Sequence, residues 1–154
     1  MAVMRSKDAI RGADAECYVT IGGNRYNLMT LKNFEATIEY TNGEVKRLGA
    51  NMVGHKEGVG DGSWSATGFY GTPVLRSALY EYKKTGFFPD MEIQVINEDK
   101  TSATGRQSVI LKECLIDEAI LATFDADSEL IEEDISGTFD DYEIPEEFTI
   151  LSGM

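Results

Sequence analysis

Phe34-Glu35-Ala36-Thr37-Ile38-Glu39-Tyr40 carries an apolar side chain at every second position and a polar one between. Successive side chains of a β-strand point to opposite faces, so this alternation predicts a strand with one apolar and one polar face. No helix could sort these residues, because its period of 3.6 would scatter the apolar set around the axis. Ser63 to Tyr70 repeats the pattern, with Trp64, Ala66, Gly68 and Tyr70 against Ser65, Thr67 and Phe69.

Working outward, Tyr18 and Thr20 alternate with Val19 and Ile21, and Gly22-Gly23-Asn24 is a hairpin signal ahead of Arg25 to Met29. Met91, Ile93 and Val95 make another strand, which the polar stretch Asn97 to Gly105 joins as a hairpin to Gln107, Val109 and Leu111. Cys114 to Phe124 reads as a long strand crossing the middle of the fold, because both of its faces are apolar. Asp125 to Ser128 is a turn. Ile131, Ile135 and Phe139 then predict a last core strand, and Tyr142, Ile144 and Phe148 around Pro145 a closing segment.

A single helix interrupts the strands. Thr72 is a good N-cap, Pro73 suits the first helical position, and Val74, Leu75, Ala78, Leu79 and Tyr82 recur at helical spacing until Gly86. Arg76, Lys83 and Lys84 fall on the opposite face and are expected in solvent. Thr41 to Gly62 holds six glycines and reads as a long, mobile or extended loop, and Met1 to Ala15 as a flexible arm. The expectation is a mainly β fold of two packed antiparallel sheets, a sandwich or partly open barrel, with one flanking α-helix. It comprises the arm at 1–15, a β domain at 16–148 and a tail at 149–154, without internal repeats.

At 154 residues the chain suits one domain with one core. No apolar run reaches the length of a membrane span, and no signal peptide is visible, so a cytoplasmic protein with no membrane partner is expected. All 14 basic residues lie at or before Lys112, with 13 acidic ones among them; the remaining 42 residues hold 14 acidic groups and no basic one. Such a surface disfavours tight nucleic-acid binding, which depends on Lys and Arg. It suits a basic partner, or a polyanion that passes without sticking.

Chemistry finds little to work with. The one histidine, His55, lies among glycines, and Cys17, Cys114 and His55 show no metal-binding spacing. Asp125, Asp127 and Glu129 alternate as oxygen ligands could, but the loop lacks the glycine and the bidentate glutamate of an EF-hand. Gly54 to Gly62 matches no phosphate-binding glycine motif. No enzyme, metal or cofactor is expected. A ligand-binding β-sandwich would need exposed aromatic platforms near Trp64, Phe69 and Tyr70, yet those residues alternate as core positions do.

The order and spacing of Phe34-Glu35-Ala36, Met52-Val53-Gly54-His55-Lys56, Ser65-Ala66-Thr67-Gly68-Phe69-Tyr70, Asp127-Ser128-Glu129 and Thr138-Phe139-Asp140-Asp141 resemble tail tube proteins of contractile-tailed phages and PBSX-like defective prophages. The similarity spans about Glu16 to Phe148. It implies hexameric rings stacked into a hollow inner tube, with sheath, tape-measure and baseplate proteins as partners and DNA only as a transient passenger. It further implies that Thr41, Gly43, Gly49, Met52, Gly54, His55, Lys56 and Gly58 belong to an inter-ring loop, and that Arg5, Lys7 and Arg11 belong to a contacting arm. A type VI secretion-like tube or a tail terminator ring is a related alternative.

Overall fold

The computed structural model describes residues 3–154, so Met1 and Ala2 of the expected arm lie outside the described residues. Among the described residues nine strands form two antiparallel sheets. β1 (Ala15–Ile21), β2 (Asn24–Asn27), β5 (Met91–Glu98), β6 (Arg106–Lys112) and β9 (Asp141–Glu146) make one, in the order β2-β1-β5-β6-β9. β3 (Leu31–Val45), β4 (Gly54–Phe69), β7 (Leu115–Ala119) and β8 (Glu132–Phe139) make the other, in the order β3-β4-β8-β7. Of the expected sandwich or partly open barrel, a sandwich forms, with α1 (Val74–Thr85) beside it. Among the described residues no helix is long and apolar enough to cross a membrane.

The core lies where the inward rows of the two sheets meet. Val19, Met91, Ile93 and Leu111 come from the first sheet, Trp64, Ala66, Ile135 and Phe139 from the second, and Leu75 from the helix. Phe34 stacks on Trp64 with ring centroids 6.0 Å apart, and the Trp64 indole N–H donates to the Thr138 carbonyl. The predicted hairpins at Gly22-Gly23 and between β5 and β6 are both present.

The structure corrects four expectations. First, Thr41 to Gly62 is mostly not a loop. β3 runs to Val45 and β4 starts at Gly54, so only residues 46–53 turn the chain, and the rest is a paired ribbon. Two of its glycines, Gly60 and Gly62, are strand positions across which rings lie: a Cβ at Gly60 would meet the Tyr40 ring at 2.9 Å, and one at Gly62 the Phe139 ring at 2.4 Å. Second, Cys114 to Phe124 is not a long central strand. β7 ends at Ala119 and is the sheet edge, while Leu121 and Phe124 stand in solvent at 73% and 86% exposure.

Third, the helix begins at Val74 with Pro73 as the N-cap, one residue later than expected, and the Thr72 side chain caps nothing. Gly86 stops it in the left-handed conformation, φ 78°, as the sequence requires. Fourth, Arg76 is not a solvent-facing residue. Its guanidinium pairs with the buried Glu133 carboxylate on β8, donates to the Thr72 carbonyl at 2.6 Å and covers the Tyr70 ring.

The segment read as an arm carries two 3-10 turns, Ser6–Asp8 and Gly12–Asp14, neither burying a side chain. Three hydrogen bonds link it to the β5–β6 connection. The Arg11 backbone N–H donates to Asp99 Oδ2 (3.2 Å), the Ser102 hydroxyl to the Asp8 carbonyl (3.0 Å), and the Ala103 N–H to Asp8 Oδ1 (2.9 Å). Thr101 donates both its N–H and its hydroxyl to Asp99, which holds that carboxyl below its ordinary pKa.

Candidate functional site

The sandwich ends where β8 does. Phe139 pairs with Gly62, and beyond that register β4 has β3 alone for a neighbour. From Glu39↔Asp61 to Val45↔Gly54 the chain is therefore a two-stranded ribbon, reaching about 25 Å past the core at roughly 3.3 Å per residue. An isolated two-stranded hairpin is marginal in water. This one nevertheless displays apolar side chains: Val59 is 85% exposed, Leu48 and Met52 project from the tip, and Tyr40 and Val45 line the shaft.

A bulge between Thr41 and Gly43 twists the shaft, and the Asn42 side-chain carbonyl accepts the Gly58 N–H at 3.1 Å. Gly58 sits there because its Cα lies against the opposite backbone; a Cβ would fall 1.5 Å from the Thr41 carbonyl oxygen. The residues that the resemblance assigns to an inter-ring loop are thus gathered on one ribbon. Thr41 and Gly43 lie on β3, Gly49 and Met52 in the tip, and Gly54, His55, Lys56 and Gly58 on β4. Arg5, Lys7 and Arg11 lie apart from them in sequence, on the segment bound to the β5–β6 connection, where Arg11 pairs with Asp14.

Sequence reasoning missed Tyr40, Val45, Leu48 and Val59 as surface features. For Tyr40 the signal was the alternation Phe34, Ala36, Ile38, Tyr40, which runs on past the register that β8 reaches; Val45, Leu48 and Val59 follow no such alternation.

The charge segregation of the sequence is partly undone by folding. Glu143 and Glu146 of β9 pair with Lys112 and Arg106 of the adjacent β6, Glu132 with Lys32, and Glu133 with Arg76. The tip differs from this acidic surround: residues 46–56 hold Lys46, Arg47 and Lys56 and no carboxylate, with Glu44 and Glu57 at their borders and the Lys56 ammonium 3.8 Å from the exposed Glu57 carboxylate.

Of the three aromatic residues that a ligand-binding sandwich would present, Trp64 faces the core and Tyr70 lies under Arg76, whereas Phe69, expected at a core position, is 40% exposed with the Lys32 ammonium over its ring. Cys114 is buried and Cys17 half-buried, and burial pushes both thiols up to about 12. The Asp125 carboxylate accepts the Asp127 N–H at 3.0 Å, which makes its loop a capped turn. Among the described residues no group of three His, Cys, Asp or Glu side chains converges as a metal site would.

The geometry is that of a β-sandwich with an uncovered ribbon. Residues 2–146 match the family described as phage tail tube protein. The chain belongs to that family. It is 29% identical over 146 residues to Phage-like element PBSX protein XkdM of Bacillus subtilis (strain 168), covering 95% of this chain and 97% of that one. The tail tube fold is equally visible in solved structures. The SPP1 tail tube is similar at a TM-score of 0.64 and 11% identity, covering 94% of this chain and 82% of that one. A chain of the six-fold symmetrised anti-feeding prophage baseplate is similar at a TM-score of 0.63 and 9% identity, covering 94% and 97%. Tail tube proteins are structural components of phage-like particles, and the sandwich described above is their fold.

Proposed function

We propose that this chain forms hexameric rings that stack into the hollow inner tube of a contractile phage tail or phage-like particle, assembled in the host cytoplasm. The tube would conduct DNA inside a sheath and meet tape-measure and baseplate proteins. The observation that carries this reading is the β3–β4 ribbon, which among the described residues has no third strand beside it and exposes Val59, Leu48 and Met52. Full burial of each such side chain against a companion would contribute about 1.5–3 kcal/mol, before the cost of association. A monomer leaves that stabilisation unused.

Six copies per ring are supported by the six-fold symmetrised assembly in which a similar fold occurs. The inter-ring role falls to Thr41, Gly43, Gly49, Met52, Gly54, His55, Lys56 and Gly58, which share the ribbon. Arg5, Lys7 and Arg11 supply the arm contact, the arm being linked to the body by hydrogen bonds and burying no side chain of its own turns.

Negative-stain microscopy and sedimentation over a range of concentrations test the proposal. Long hollow tubes of six-fold cross-section are expected. Isolated rings that never stack would favour a terminator-type ring, and a strict monomer at every concentration would overturn the proposal.

A further inference from the structure

The four-stranded sheet has two unlike poles. At one lies the ribbon tip, where Leu48, Met52 and Val53 are exposed beside Lys46, Arg47 and Lys56. At the other lies the β7–β8 connection, residues 120–131. Register places it there: Phe69, the last residue of β4, pairs with Glu132, and the Tyr70 N–H donates to the Ile131 carbonyl at 2.9 Å. The two poles are separated by the whole of β4, about 50 Å at 3.3 Å per residue.

The connection mirrors the tip in composition with the charge reversed. Leu121, Phe124 and Leu130 are each more than 60% exposed, and the intervening ionisable residues are Asp125, Asp127 and Glu129, with no cation. A soluble chain rarely leaves such apolar side chains grouped in solvent unless another surface covers them. Neither pole can cover the other within one molecule, because a rigid paired sheet holds them apart. Copies with a net charge of -13 also repel one another in general, so a cationic apolar tip is the part of this chain best suited to approach an acidic neighbour.

We propose that the ribbon tip of one copy docks on the 120–131 connection of a second copy, apolar side chains in the middle and the Lys and Arg side chains facing the three carboxylates. The inference rests on the tube reading and names the surface that receives the ribbon. Two different patches at opposite poles make a heterologous contact, which propagates instead of closing on a pair. It therefore also gives the assembly a direction.

Reciprocal charge reversal tests the pairing. One variant carries Lys46→Glu, Arg47→Glu and Lys56→Glu; the other carries Asp125→Lys, Asp127→Lys and Glu129→Lys. Each alone sets like charges against like, so each should need at least about tenfold more protein than the wild type to form tubes, through three exposed pairs turned repulsive. An equimolar mixture should recover tubes, because every tip then meets an opposite charge when the two variants alternate.

Wild-type tubes together with variants that assemble normally alone, or with a mixture that fails to recover, overturn the docking and leave the tube reading standing. A wild type that never assembles overturns the tube reading itself, and the docking with it. Native circular dichroism checks the fold of each variant. Should a triple variant unfold, Phe124→Asp, at a largely exposed site, must by itself raise the concentration needed for tubes; an unchanged concentration counts against the docking.

Discussion

Replacing Arg76 by Leu should loosen the attachment of α1 to the four-stranded sheet. Glu133 is 4% exposed and accepts its charge-assisted hydrogen bond from Arg76, whose own side chain is 19% exposed. Removing the cation leaves a carboxylate in the interior with no partner. Breaking a buried pair in this way costs about 3–5 kcal/mol. The Thr72 carbonyl and the Tyr70 ring lose the guanidinium as well, which pushes the expectation toward the upper end. For a domain of this size each kcal/mol moves the midpoint by roughly 2–4 °C, so a drop of about 6–20 °C is expected.

The assay is thermal unfolding followed by circular dichroism, on protein dilute enough to remain unassembled, since assembly would add its own stabilisation. The double replacement Arg76→Leu with Glu133→Leu removes the orphan along with its partner. It should return to within about 2 kcal/mol of the wild type, because apolar side chains fill a former ion-pair site well. A single variant costing less than about 1 kcal/mol, or a double variant as unstable as the single, would refute the reasoning that Glu133 depends on Arg76.

Two further outcomes are expected. Gly137→Ala places a Cβ 1.9 Å from the Leu115 carbonyl oxygen and 2.8 Å from the Trp64 ring; it should destabilise by about 1–3 kcal/mol and strip hydrogen-exchange protection from β7, whereas Gly43→Ala, with nothing within 4 Å, should leave both unchanged. Cys17 and Cys114, pushed up to about 12 by burial, should resist iodoacetamide at pH 8.5 until the protein unfolds. The unfolded thiols lose their protons first, near pH 8.5, so unfolding gains as pH rises. Stability is then untouched below that value and falls above it toward pH 12 by roughly 1.4 kcal/mol per pH unit for each thiol. Alkylation of either thiol at the unfolded rate, with native circular dichroism retained, would contradict this.

The strands at 34–40, 63–70 and 91–111, the Gly22-Gly23 turn and the helix ending at Gly86 were legible because each depends on neighbours in sequence: side-chain direction repeats every two or 3.6 residues, and a left-handed stop selects glycine. The ribbon was half legible. Its site residues could be grouped, but Gly58, Gly60 and Gly62 looked like loop because the reason for their missing side chains lies on other strands, in the Thr41 backbone and in the rings of Tyr40 and Phe139. Leu121 and Phe124 alternate as strand residues do, yet alternation says which face a side chain takes and not whether any strand lies beside it.

Sequence alone determined that this chain is mainly β, a sandwich or partly open barrel of two antiparallel sheets with one helix, because periodicity and turn chemistry are written into the covalent chain. Only the tertiary structure decided that β8 stops at Phe139, that Glu133 claims Arg76, and that an apolar ribbon and an apolar connection end at opposite poles. Those outcomes depend on register between segments dozens of residues apart, where the free energy of pairing belongs to both partners and is visible in neither alone.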